Sequence, residues 1–217
     1  MTKKYVLSIL TLLMVFSCIR VNAKSVDPYI MNKNEQEYIN VEFQESFYTV
    51  KIKVSNGEIV GWSELTQTTK NMTDEDLALM LIDCAELLYG KGTERYELNR
   101  DKFITLLEEG KFNYSDFITF QDKDIQPRCE FLIDLDQYMN ITFSDSSFGV
   151  AVRGHDGEIT GYGPCPQSDM TDEKMAQMVI DCAEVIFGKD TERYELNKEK
   201  FTTLYEEGGM QWYDKKE

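Results

Sequence analysis

The sequence predicts an α+β protein made of two tandem copies of one module, a three-stranded antiparallel β-meander followed by a helix pair, packed with pseudo-two-fold symmetry. Three observations carry this expectation. The chain resembles itself at a nearly fixed offset, each copy changes from strand-like to helix-like periodicity at the same place, and an Asn-Gly or Asp-Gly dipeptide punctuates each strand-like stretch.

The self-similarity is direct. Asn56-Gly57-Glu58-Ile59-Val60-Gly61-Trp62 returns as Asp156-Gly157-Glu158-Ile159-Thr160-Gly161-Tyr162, 100 residues later, and Ile82-Asp83-Cys84-Ala85-Glu86 returns as Ile180-Asp181-Cys182-Ala183-Glu184 at an offset of 98. The string Thr93-Glu94-Arg95-Tyr96-Glu97-Leu98-Asn99 recurs unchanged as residues 191–197. The expected organisation is a signal peptide over residues 1–23, a first repeat over 36–112, a connecting segment over 113–135 and a second repeat over 136–214.

Residues 1–23 have a basic start at Lys3-Lys4, an apolar run from Tyr5 to Ile19 and a small-residue exit at Val21-Asn22-Ala23. The run is shorter than the ~20 apolar residues that span a bilayer, so cleavage and export are expected, with no membrane span. A lipid anchor on Cys18 is the alternative. The Lys-Lys start points to a bacterial source and hence to the periplasm or the extracellular space. Removing residues 1–23 leaves 20 basic against 39 acidic residues and moves the formal charge from −16 to −19. A field of that sign repels phosphate backbones and excludes nucleic-acid binding, while it favours a cationic protein partner.

In each repeat the strands come first. Tyr48, Val50, Ile52 and Val54 alternate with Thr49, Lys51 and Lys53, and Phe148, Val150 and Val152 repeat the pattern. Asn56-Gly57 and Asp156-Gly157 predict two-residue type I′ turns leading into strands 58–62 and 158–162. With strands near 38–43 and 138–143 these complete the two meanders.

The helices follow. Thr73 and Thr171 are N-cap residue types with acidic residues after them. Leu77, Met80, Leu81, Cys84 and Leu88 form one apolar stripe, as do Met175, Met178, Val179, Cys182 and Ile186, and Gly90 and Gly188 stop each helix. A second helix is expected to start after Asn99 or Asn197, to bury Phe103, Leu106 and Leu107 (Phe201, Leu204 and Tyr205), and to end at Gly110 or Gly208.

Candidate chemistry is sparse. His155 is the single histidine and sits beside a turn, so triad and zinc-site patterns lack their parts, and no catalytic, cofactor or metal residues are assigned. The acidic pairs Asp83 with Glu86 and Asp181 with Glu184 have helical spacing that any solvated face produces. Asp122-Lys123-Asp124 and Asp134-Leu135-Asp136 lack the glycine and terminal glutamate of an EF-hand loop. Three glycosylation sequons, at Asn71, Asn113 and Asn140, establish nothing about the source.

The unchanged string is either a recognition loop shown twice or an inter-helix brace. In the first case Arg95, Tyr96, Arg193 and Tyr194, with Trp62 and Tyr162 at the hairpin ends, are the candidate partner-binding residues. The function expected is that of an exported acidic binding protein, an inhibitor or a periplasmic immunity protein occupying a basic protein. The alternatives are a carboxylate-dependent hydrolase and a structural component of the cell envelope.

The cysteines divide by their place in the repeat. Cys84 and Cys182 lie at equivalent positions in the helical stripes and are expected as buried free thiols. Cys129 and Cys165 have no counterpart in the first repeat and flank the second meander. A Cys129–Cys165 disulfide is expected in an oxidising compartment, closing a loop of 37 residues and contributing about 3–4 kcal/mol.

Overall fold

Ten elements, with all the strands in a single sheet, make up the computed structural model, which describes residues 31–43, 48–64, 73–112, 137–144, 146–163 and 170–210. They run β1 (Tyr38–Phe43), β2 (Tyr48–Lys53), β3 (Glu58–Glu64), α1 (Asp74–Tyr89), α2 (Glu94–Glu108), β4 (Tyr138–Phe143), β5 (Gly149–Arg153), β6 (Ile159–Gly163), α3 (Asp172–Phe187) and α4 (Glu192–Glu206). The sheet order is β3-β2-β1-β4-β5-β6, with every neighbouring pair antiparallel. The class is therefore α+β. The halves meet where β1 pairs with β4, with Ile39 opposite Phe143, Val41 opposite Ile141 and Phe43 opposite Met139.

Period-2 alternation sorts the sheet into two faces. Ile39, Val41, Val50, Ile52, Ile141, Val152 and Ile159 are completely buried, whereas Glu42, Lys51, Thr142 and Thr160 on the opposite face are exposed. The stripe residues Leu77, Leu81, Cys84 and Leu88 of α1 and Met175, Val179, Cys182 and Ile186 of α3 join the same apolar cluster. Full burial of a side chain of this size contributes about 1.5–3 kcal/mol, so the helices hold the sheet mainly through these stripes.

The helix starts and stops of α1 and α3 follow the sequence. The Thr73 hydroxyl accepts from Asp76 N while the Asp76 carboxylate accepts from Thr73 N, a closed capping box, and Gly90 and Gly188 end α1 and α3 at φ of +81° and +87°.

Three local expectations are corrected. The α2 and α4 helices start at Glu94 and Glu192, capped by Thr93 and Thr191, rather than after Asn99 and Asn197. Both residue types cap helices, but the threonine hydroxyls accept from Tyr96 N and Tyr194 N while the asparagine side chains bond elsewhere. The hairpins close through residues 54–57 and 154–157, with only the glycine of each Asn-Gly or Asp-Gly in the left-handed region. Asn56 and Asp156 keep negative φ and use their side-chain oxygens to accept from Glu58 N and Glu158 N, so a longer turn replaces the two-residue one. Tyr205 is 41% exposed, because α4 turns that side to solvent.

Cys84 and Cys182 are free thiols within the apolar cluster, and burial pushes both well above the ordinary thiol range. Neither should be alkylated by iodoacetamide in the native protein, and both should react after denaturation, as read by peptide mapping. Modification of either in the native state would mean that the buried faces of α1 and α3 open. Cys18, Cys129 and Cys165, the signal segment and the connecting segment lie outside the described residues. Among the described residues no helix is long and apolar enough to cross a membrane.

Candidate functional site

The repeated Thr-Glu-Arg-Tyr-Glu-Leu-Asn string forms the first turns of α2 and α4, where four helix ends and two hairpin turns converge. Its helical conformation places residues i and i+4 on one side, which is why Arg95 and Asn99, and likewise Arg193 and Asn197, act together.

The asparagines tie helix to hairpin. Asn99 is fully buried, its Oδ1 accepts from Ile59 N at 2.8 Å, and its Nδ2 donates to Gly57 O at 2.9 Å and to Arg95 O at 2.7 Å. Asn197 makes the corresponding bonds to Ile159 N, Gly157 O and Arg193 O at 2.7, 2.9 and 2.7 Å. Three of the four polar positions of each side-chain amide are thus satisfied in a site without water access. One turn later Lys102 donates to Ile59 O and Glu58, and Lys200 to Ile159 O and Glu158. The Lys102 ammonium holds the Glu58 carboxyl below its ordinary range.

The arginines tie one half to the other. Arg95 Nη1 donates to Val185 O and Ile186 O at 3.3 and 2.6 Å, near the end of α3, and its Nη2 reaches Val54 O at 3.3 Å. Arg193 Nη1 donates to Leu87 O and Leu88 O at 2.6 and 2.7 Å, near the end of α1, and its Nη2 reaches Gly154 O at 3.2 Å. The last carbonyls of a helix lack intrahelical donors and carry the negative end of the dipole. Neither α1 nor α3 has a basic residue in its own last turn, so the arginine of the other half supplies that cation. Burial pulls the Arg193 guanidinium below its ordinary range, opposed by Asp156 and Glu192.

Glycine makes these approaches feasible. A Cβ on Gly57 or Gly157 would lie 2.5 Å from Arg95 Cδ or Arg193 Cδ, and the φ of each glycine, +74° and +76°, is strained for any other residue.

Between the two arginine clamps lies an open groove of about 1080 Å³. Its apolar lining includes Tyr89, Leu98, Phe187 and Leu196. Tyr89 and Phe187 are nearly fully buried, whereas Leu98 and Leu196 are each 38% exposed. Carboxylates of Glu94, Glu97, Asp101, Asp156 and Glu192 also line the groove, as do Lys91, Lys189 and His155. Glu97 and Asp101 both pair with Arg100, and Asp156 is held well below the ordinary carboxylate range by Arg153. Glu94 and Glu192 make no direct ion pair among the described residues, and the Glu192 charge acts on its neighbour Arg193.

The candidate residues named from the sequence are distributed as follows. Arg95 and Arg193 line the groove with their donors engaged on carbonyls. Tyr96, Tyr194 and Trp62 are 4%, 6% and 2% exposed and belong to the apolar core. Tyr162 is half-buried, with its ring edge-on to Phe201 at 5.8 Å. His155 is an exposed turn residue 3.6 Å from the Asp156 carboxylate. The pair Asp181 and Glu184 receives the Lys33 ammonium at 3.1 and 3.0 Å, while burial and Glu86 push the Asp83 carboxyl upward. Among the described residues no group of histidine, cysteine and carboxylate side chains is arranged to hold a metal ion.

Sequence reasoning missed the partial exposure of Leu98 and Leu196, the hairpin bonds of Asn99 and Asn197, which it read as N-caps, and Lys33. The signal for the first four was present, since all lie in the repeated string, and an arginine and an asparagine at i and i+4 identify one helix face. Lys33 carries no local signal, because its partners are about 150 residues away. No family model, curated protein or solved structure matches the chain.

Proposed function

We propose that the chain is an exported acidic binding protein, two fused copies of one module about a pseudo-two-fold axis, which occupies a basic protein partner as an inhibitor or a periplasmic immunity protein. The axis would pass between Val41 and Ile141. The β1–β4 register, centred there, and the reciprocal arginine bonds support that arrangement.

The observation that carries the functional reading is where the acidity lies. Residues 73–112 and 170–210, which hold the helices, contain twenty acidic and ten basic side chains, whereas the described strand-bearing segments contain seven and four. Most of the net negative charge of the described residues is therefore on the helical layer. A cationic partner is steered to that layer more strongly than to the strand-bearing segments, whose net negative charge is smaller.

The test is the salt dependence of association. A partner cross-linked to the tagged mature chain in the envelope fraction of its native host is expected to be basic. The Kd of the purified pair is expected to rise by roughly tenfold or more between about 50 and about 500 mM NaCl, as screening shortens the Debye length. Association that ignores salt would contradict the reading.

A further inference from the structure

We infer that the outer face of α1 formed by Leu79, Asp83 and Glu86 is a docking site for a partner segment that carries an apolar side chain two residues before a lysine. This rests on the acidic-binder reading, since the face belongs to the helical layer, and names the place and the chemistry of recognition. The second half of the chain shows how such a face is filled.

There α3 carries Asp181 and Glu184 at the places that Asp83 and Glu86 hold in the first repeat. That pair is occupied. The Lys33 ammonium donates to Asp181 at 3.1 Å and to Glu184 at 3.0 Å, and its bonds to Glu184 and Asp181 raise the lysine above its ordinary range. Two residues earlier, Met31 is 4% exposed and lines one cavity with Gln177, Met178 and Asp181 of α3. A Met-x-Lys segment of the first half thus covers the outer face of α3, with the adaptable thioether on its apolar part and the ammonium between two carboxylates.

The same face of α1 has no such cover among the described residues. Leu79, Asp83 and Glu86 fall at i, i+4 and i+7, on one side of the helix. Leu79 stands at the place of Gln177 and is 53% exposed, the most of any large apolar side chain among the described residues. Asp83 is half-buried and makes no hydrogen bond or ion pair among the described residues, and burial, then the neighbouring Glu86, push its carboxyl upward. Lys91 meets Glu86 only at 3.8 Å, with its side chain 73% exposed. The α1 helix has five acidic residues and no basic one, so nothing on the helix itself offsets the pair. Two carboxylates that raise each other's proton affinity are a seat for an ammonium group, and the exposed leucine beside them is a seat for an apolar side chain. The chain does not repeat the cation. The residues that correspond in sequence to Met31 and Lys33 are Phe131 and Ile133, both outside the described residues.

The test uses the isotope-labelled full mature chain and three synthetic probes: an octapeptide with Met-Asn-Lys at its centre and glycine and serine around it, the same peptide with norleucine for lysine, and octalysine. At low salt the Met-Asn-Lys peptide is expected to shift amide resonances of residues 79–86 and to leave those of residues 177–184, already covered, in place. Replacing its lysine by norleucine is expected to weaken binding by about tenfold or more, and so is Asp83→Asn with Glu86→Gln, which removes charge without shortening either side chain. Leu79→Gln, which copies the α3 residue, is expected to weaken it by a smaller factor. Met31→Ser with Lys33→Ser is expected to open the α3 face, so that the peptide then also shifts residues 177–184. Shifts confined to residues 177–184 in that variant, no shift on either helix, or unchanged affinity in Asp83→Asn with Glu86→Gln would overturn the α1 site, while octalysine that still binds would leave the acidic-binder reading in place. Octalysine that fails to bind at low salt would end that reading and the site with it. Nuclear Overhauser contacts between Phe131 and Leu79 in the free chain would assign the face to the chain itself, and a dimer that dissociates in Leu79→Gln would assign it to a second copy. Either result overturns the inference.

Discussion

Arg193→Ala is expected to lower the unfolding free energy of the mature chain by about 3 kcal/mol. The guanidinium serves three backbone carbonyls, those of Leu87, Leu88 and Gly154. A hydrogen bond to a charged group contributes about 1.5–3 kcal/mol. The sum is not additive, since water in the groove can reach part of the vacated space. The truncation also removes the cation at the negative end of the α1 dipole. Lysine at the same position keeps the charge but not the planar fork, so Arg193→Lys should recover only part of the loss. Urea unfolding reads this as a lower midpoint at constant slope, and Arg95→Ala, acting on the end of α3, should have a loss of similar size. An unchanged midpoint in both variants would mean that the cross-half bonds contribute nothing.

Local structure was legible because it is written in local residues. The alternation around Val50 and Val150 found the strands, the period-3.6 stripe through Cys84 and Cys182 found α1 and α3, and the glycines at 90 and 188 found their ends. The start of α2 was not legible, because Thr93 and Asn99 are both N-cap residue types and the sequence does not say which side chain is engaged elsewhere. Asn99 is engaged with Gly57 and Ile59, about 40 residues away. The order of the six strands was not legible either. Alternation identifies the faces of a strand but not its neighbour, and the β1–β4 pairing joins residues about 100 positions apart.

The candidate site was half legible for the same reason. The unchanged string marked the right residues, and its arginines do line the groove, but what they touch lies in the other half of the chain. Leu98 and Leu196 look in sequence like any apolar residue of a helix, and only the packing shows that they stay partly exposed. Charge was readable in total and unreadable in distribution, since the excess of carboxylates on the helical layer appears once the strands are separated from the helices.

The claim that the two halves complete one another is tested most directly by the first half alone, residues 24–116. Without the second half, β1 becomes a sheet edge that exposes the backbone beside Ile39, Val41 and Phe43, and the last carbonyls of α1 lose Arg193. An unpaired apolar edge is a template for another strand. A second copy of the fragment would offer its own β1 in the register centred on Val41, and its own Arg95 in place of Arg193. Sedimentation of the fragment over about 10–100 µM, combined with urea unfolding, is the measurement. The account predicts a dimer whose unfolding midpoint rises with protein concentration, or a poorly folded chain where the dimer does not form. A monomer that unfolds cooperatively, with the stability of the whole mature chain, would contradict it.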